Sequence, residues 1–144
     1  MSQLADPVGR STLVVDASAV VALLVDQGAA GRWVAGQVAG HVLIAPDLLP
    51  FEVANALRRQ VRTGLLHVDR ATAAHRAMVA VHAELWPFAP LSRRVWALRD
   101  QLSSYDAAYV AVAELVHAPL ITLDARLVAR RVSADCEIRV FATR

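Results

Sequence analysis

Lysine is missing from this chain of 144 residues, and cysteine occurs once, as Cys136. A single thiol can close no internal disulfide, the usage expected in a reducing cytoplasm. The missing lysine excludes a class of enzyme. Aspartate-based phosphotransfer proteins, such as response-regulator receivers and haloacid-dehalogenase-like phosphatases, place an Asp after the first strand of a parallel sheet and lean on a lysine to hold the phosphoryl group. The first acidic motif here also reads D-A-S (16–18) rather than D-x-D. No apolar run reaches the roughly 18 residues of a membrane span, because Asp, Pro and Arg interrupt each one. The opening MSQLADPVGRS lacks the apolar core of a secretory signal, so a cytoplasmic protein is expected. No H-x-x-x-H pair occurs; His41, His67, His75, His82 and His117 are scattered and read as structural or surface residues.

What is present is apolar. The hydrophobic fraction is 56% and the mean hydropathy +0.41, high for a soluble monomer, so some apolar surface is expected to meet a partner. Trp33, Trp86 and Trp96 are assigned to core or interface, and Cys136 to a buried or incidental position. All 15 basic residues are arginine, which grips phosphate bidentately, although an Arg-rich codon usage produces the same bias. The formal charge of +2 is not gathered into one block and points only weakly to nucleic acid.

The length suits one compact core, and no repeat, low-complexity tract or linker divides it. One domain over 1–144 is expected, with residues 1–11 as a flexible N-terminal extension. Short β-branched runs alternate with longer helical patterns. The strand-like segments are 12–16, 41–45, 85–89, 119–124 and 137–142; the helix-like ones are 18–25, 28–39, 50–63, 69–84, 91–102, 105–117 and 125–132. In 50–63, Val53, Leu57 and Val61 share a face and Gly64 marks a stop, while Asp69 is expected to cap the next helix. Strands that are almost continuously apolar, alternating with helices, predict a parallel sheet covered on both faces. The expected fold class is α/β, with a central parallel β-sheet flanked by helices on both faces.

Open parallel sheets build their sites beyond the carboxyl ends of the strands. Asp16 ends the first strand-like run, inside LVVDASAVVALLV, and Asp124 ends the fourth. Glu52 lies in the first turn of its helix and Asp106 opens YDAAYVAVAELVHA. Each has an ordinary alternative: Asp16 and Asp124 as helix caps, Asp106 as a carboxylate favoured by the helix dipole, Glu52 as a solvated residue opposite the apolar face. All four nevertheless fall where they can converge on one rim. Clustered carboxylates repel and raise one another's pKa, and a divalent cation relieves that repulsion. An oxygen-only donor set suits Mg²⁺ or Mn²⁺ rather than zinc.

VVDASAVVALL, APDLLPFEVANALRR, SSYDAAYVAVAE and ITLDARL resemble the four successive motifs of PIN-domain ribonucleases, and more narrowly those of the VapC toxins of type II (VapBC) toxin–antitoxin pairs. The likeness runs in order from about Leu13 to Leu127. It implies a PIN-like domain and a Mg²⁺- or Mn²⁺-dependent endoribonuclease in which Asp16, Glu52, Asp106 and Asp124 are metal-binding and catalytic, with Ser18, Asn55 and Thr122 in support. It further implies in-line attack of water on an RNA phosphodiester, leaving 5′-phosphate and 3′-hydroxyl ends, on a substrate that is a tRNA, rRNA or mRNA. The implied partners are a VapB-type antitoxin laid over a groove and a second copy in a homodimer. Arg58, Arg59, Arg93 and Arg94, close to the motifs in sequence, are the expected RNA contacts, against an ordinary reading as solvated helix faces. A non-catalytic PIN-like module that binds RNA or protein is the alternative, and loss of one of the acids would be its signature.

Overall fold

A computed structural model describes residues 11–129 and 132–142. The expected N-terminal extension lies outside these except for Ser11, whose carbonyl accepts a hydrogen bond from Val42 N–H at 3.0 Å. The chain forms β1 (Thr12–Val15), α1 (Ala17–Val25), α2 (Ala29–Val38), β2 (Val42–Pro46), α3 (Leu49–Arg62) and α4 (Val68–Ala80). It continues through β3 (Ala83–Trp86), α5 (Phe88–Ala97), α6 (Ser104–Val116), β4 (Leu120–Thr122), α7 (Arg126–Ala129) and β5 (Ile138–Val140).

The five strands make one parallel sheet in the order β3-β2-β1-β4-β5. Right-handed crossovers carry α1–α4 over one face, and the reversal from β3 to β4 carries α5 and α6 over the other. Accordingly α1 packs against α3 and α4, while α6 packs on β1, β2 and β4. The middle strand is covered on both sides: Leu13, Val14 and Val15 are at most 1% exposed. In α6, every residue from Ala107 to Ala113 is buried, as expected of a helix set directly over the sheet centre. The expected sheet covered on both faces is therefore present. No helix among the described residues is long and apolar enough to cross a membrane.

Several boundaries differ from the sequence reading, and those around the third strand have a clear physical reason. The third strand lies at Ala83–Trp86 rather than 85–89, because Ala83 to Trp86 pair in register with Leu43 to Pro46 and Pro87 has no N–H for the ladder. That shift ends α4 at Ala80 and makes Pro87 the N-cap of α5, which starts at Phe88 rather than 91. The cap of α4 is His67, whose Nδ1 accepts from Asp69 N–H at 3.1 Å; Asp69 itself sits in the first turn. At the other end of α3, Thr63 caps the helix and Gly64 turns the chain at φ +76°, as the stop signal implied.

Candidate active site

β1 and β4 are neighbours at the point where the strand order reverses, the place where parallel sheets open a crevice beyond their carboxyl ends. Asp16 leaves β1 there, 9% exposed, and caps α1 by accepting from Ala19 N–H at 3.0 Å. Capping is only part of its role. The same oxygen accepts from the Ser18 hydroxyl at 2.6 Å, and the other accepts from the Thr122 hydroxyl at the end of β4. Each hydroxyl is itself fixed from the turn after β4: Leu123 N–H donates to Ser18 Oγ and Asp124 N–H to Thr122 Oγ1, both at 2.9 Å. The first turn of α1 and the end of β4, far apart in sequence, thus hold one carboxylate from both sides.

The second and third acids arrive from opposite faces of the sheet. α3 follows β2 directly, so its first turn, with Glu52, stands at the carboxyl edge. α6 delivers the chain to the start of β4 and so begins at that same edge, where Ser103 caps it by accepting from Asp106 N–H at 3.2 Å. Tyr109, one turn further along α6, is 3% exposed and donates its hydroxyl to Glu52 Oε1 at 2.6 Å. One face of α6 therefore offers both a carboxylate and the donor that orients the neighbouring acid.

The electrostatics record the crowding. Burial lifts the Asp16 carboxyl above its usual range, the Ser18 and Thr122 hydroxyls and the Ala19 amide hold it down, and the charge of Asp106 adds to the rise. Burial likewise raises Glu52; Tyr109 opposes it, Asp106 and Asp16 reinforce it, and Arg59 lowers it slightly. The Tyr109 hydroxyl is pushed up by burial first and then by its bond to Glu52, so it stays a donor. Three carboxylates from three elements share one field.

Beside them lies a cleft of about 710 Å³ whose lining includes Ser18, Glu52, Asn55 and Arg59, with Val25 and Leu65 on its apolar side. A smaller cavity of about 230 Å³ brings Asp106 together with Asp124 and Arg126.

The chain from residue 13 to 133 matches the model of the PIN domain family. This chain belongs to the PIN-domain family. The PIN domain is 38% identical to Ribonuclease VapC1 of Mycobacterium tuberculosis over 128 residues, 88% of this chain and 96% of that relative. Among solved structures it is similar to PAE2754 from Pyrobaculum aerophilum, with a TM-score of 0.64 at 25% identity over 89% of this chain and 83% of that one. It also shares its fold with VapBC-5 of Mycobacterium tuberculosis, a member of the VapBC family of toxin–antitoxin systems; the TM-score is 0.58 at 18% identity, covering 91% and 99% of the two chains.

Within this PIN domain the fourth acid stands apart. Asp124 accepts from Arg126 Nε and Nη2, both at 2.9 Å, and from the Arg126 backbone N–H at 3.0 Å. Its carboxylate is thereby forked by a guanidinium, unlike those of Asp16 and Glu52, which are held by hydroxyls. The hydrogen bond to Glu52 among the described residues comes from Tyr109; Asn55 is exposed and lines the large cleft one turn away. Of the four arginines singled out in the sequence, Arg59 lines that cleft, while Arg58 and Arg93 are exposed on their helices. Arg94 faces elsewhere: it forks Glu114 at 2.7 and 3.0 Å and donates to the Ser133 carbonyl at 2.6 Å, tying α5 to α6 and the C-terminal segment. Cys136 is half-buried, its thiol pushed up to about 11 mainly by burial, and Trp96 is 69% exposed with Arg99 over its ring.

Two residues escaped the sequence reading. Tyr109 follows Asp106 by three positions, the spacing that shares a helix face, and that was the available signal. Arg126 follows Asp124 by two, within reach of a side-chain fork.

The donor set bears on a metal in two ways. Among the described residues, no three His, Cys, Asp or Glu side chains form a group that could hold an ion by themselves. The acids are oxygen donors only, however, and their mutual repulsion is what a cation relieves. An incomplete protein cage suits Mg²⁺, which keeps several waters and takes one or two carboxylates, and so the residues fit such an ion.

Proposed function

We propose that this PIN domain is a metal-dependent endoribonuclease of the cytoplasm and the toxin of a toxin–antitoxin pair. The observation that carries the reading is the convergence of Asp16, Glu52 and Asp106 from the end of β1, α3 and α6 on one edge, close enough that the charge of Asp106 raises both Asp16 and Glu52 and that of Asp16 raises Glu52. The ribonuclease name of a relative 38% identical over most of the chain supports the substrate class. Mg²⁺ or Mn²⁺ would be held by one or two of the carboxylates of Asp16, Glu52 and Asp106, with water completing its shell, and Asp124 is the fourth acid of the rim. A bound divalent ion supplies Lewis-acid polarisation of the phosphate and lowers the pKa of a coordinated water.

The chain's own residues do the rest. Ser18 and Thr122 fix the Asp16 carboxylate and Tyr109 fixes that of Glu52, so both acids are aimed before substrate arrives. Arg59 at the cleft and the exposed Arg58 and Arg93 offer cations for the RNA backbone. Hydrolysis in this arrangement leaves 5′-phosphate and 3′-hydroxyl ends on a tRNA, rRNA or mRNA.

The large cleft, apolar at Val25 and Leu65 and acidic at Glu52, fits a VapB-type antitoxin segment that is apolar with one basic residue. A homodimer would cover part of the exposed apolar surface, which includes Phe51 at 80% and Val79 at 82%.

The test is incubation of purified, antitoxin-free protein with total RNA, with and without Mg²⁺ or Mn²⁺, beside Asp106→Asn, with the ends mapped. Cuts requiring both the ion and Asp106 are expected. Absence of cutting by folded protein in every condition would instead support the non-catalytic binding module.

A further inference from the structure

The acid-lined rim has an electrostatic difficulty that the ribonuclease reading leaves open. An RNA phosphate must approach carboxylates that already repel one another, and a fixed cation at the same rim would meet it beside the divalent ion. Arg126 occupies that place. Its Nε and Nη2 fork both oxygens of Asp124, and its backbone N–H binds the same carboxylate, so a side chain that is 74% exposed is nonetheless tied to that acid by two bonds. Nη1 stands outside the fork. Arg126, Asp124 and Asp106 line one cavity of about 230 Å³, and the charges of Asp124 and then Asp106 both act on the guanidinium.

We propose that Arg126, oriented by Asp124, is the residue that grips the phosphate being cleaved. Asp124 is then a positioning residue: it acts through Arg126 rather than on an ion. A guanidinium can give its remaining donors to phosphate oxygens while the Asp124 fork persists, and its planar geometry matches a phosphodiester. Asp124 would have to release that fork to bind a cation through the same oxygens, whereas Asp16, Glu52 and Asp106 need release no guanidinium. As a surface ion pair alone, the Asp124–Arg126 contact is worth little to stability. Its value lies in where it holds the cation. This assignment rests on the ribonuclease reading.

The experiment measures steady-state cleavage of a short RNA containing a mapped site, and Mn²⁺ binding to the RNA-free protein by calorimetry. The proteins are the wild type, Arg126→Ala, Arg126→Lys, Asp124→Asn and the double variant, each checked for folding by circular dichroism. Arg126→Ala is expected to lower kcat/KM by about 10²-fold, the scale of losing one preorganised donor to a transition-state charge. Arg126→Lys should recover part of that loss. Asp124→Asn should fall in the same direction with Mn²⁺ affinity unchanged, and the double variant should be no slower than Arg126→Ala, because the two residues act as one unit. Wild-type rates in Arg126→Ala, or weakened Mn²⁺ binding in Asp124→Asn, would overturn the assignment. A wild type that cuts no RNA refutes the ribonuclease reading itself, and that arm is read independently of the variants.

Discussion

Replacing Tyr109 by Phe removes one oxygen and should reveal how the site holds Glu52. The hydroxyl is buried, donates at 2.6 Å and joins residues 57 apart in sequence, so the change opens no cavity and breaks one long-range bond. A hydrogen bond to a charged group contributes about 1.5–3 kcal/mol. Glu52 is half-buried, so water recovers part of this, and a loss of about 1–2 kcal/mol at neutral pH is expected, roughly 3–8 °C in Tm for a chain of this size. The bond favours the charged carboxylate and lowers its pKa, opposing the rise due to burial. Its contribution is therefore fully present at high pH and shrinks as the pH falls through the Glu52 titration, toward the roughly 0.5–1 kcal/mol of a neutral pair. Urea unfolding of metal-free wild type and Tyr109→Phe, well above and well below the ordinary Glu52 value of 4.5, measures both numbers. A difference that is the same at both pH values would refute the claim that Tyr109 serves the ionised Glu52.

Burial raises the Asp16 and Glu52 carboxyls above their ordinary 3.8 and 4.5. From those values up to the raised ones the folded protein binds more protons than the unfolded chain, so metal-free stability should fall as pH rises through that window. Asp16→Asn removes one contributor, and its Tm should fall less steeply there; parallel curves would count against the burial argument. Mn²⁺ should raise the Tm of the wild type by mass action, about 2.7 kcal/mol at one hundred times Kd, and should lose this effect in Asp106→Asn; no shift in the wild type speaks against an ion at the acids. The two helices α1 and α2 meet so closely that a Cβ at Gly31 would lie 1.8 Å from the Asp26 carbonyl oxygen, whereas one at Gly36 meets nothing within 4 Å. Gly31→Ala should cost about 1–3 kcal/mol and Gly36→Ala should stabilise by about 0.5–1 kcal/mol in chemical unfolding, and equal effects would contradict the packing.

Local order in the chain was enough to place the acids at one edge. A strand followed at once by a helix has its junction at the carboxyl end, and so does the N-terminal junction of a helix that returns the chain to the start of a parallel strand, whatever the rest of the fold does. Asp16, Glu52, Asp106 and Asp124 all sit at such junctions, and the apolar runs around β1 and β4 required cover on both faces. Elements whose limits depend on a neighbour were less legible. LWPFA has the residues of a strand, yet the ladder keeps only its Leu85 and Trp86 and adds Ala83 and Glu84 before them, because register with β2 outweighs β propensity and Pro87 ends the pairing. Side-chain partners were decided only when the elements met. The Thr122 hydroxyl reaches Asp16 across 106 positions and the Tyr109 hydroxyl reaches Glu52 across 57, while Arg94 was drawn away to Glu114. A sequence states which groups can ionise and donate; which donor stands within bonding distance of which acid depends on the packing of α3 and α6 against a shared sheet, and that is a property of the folded chain alone.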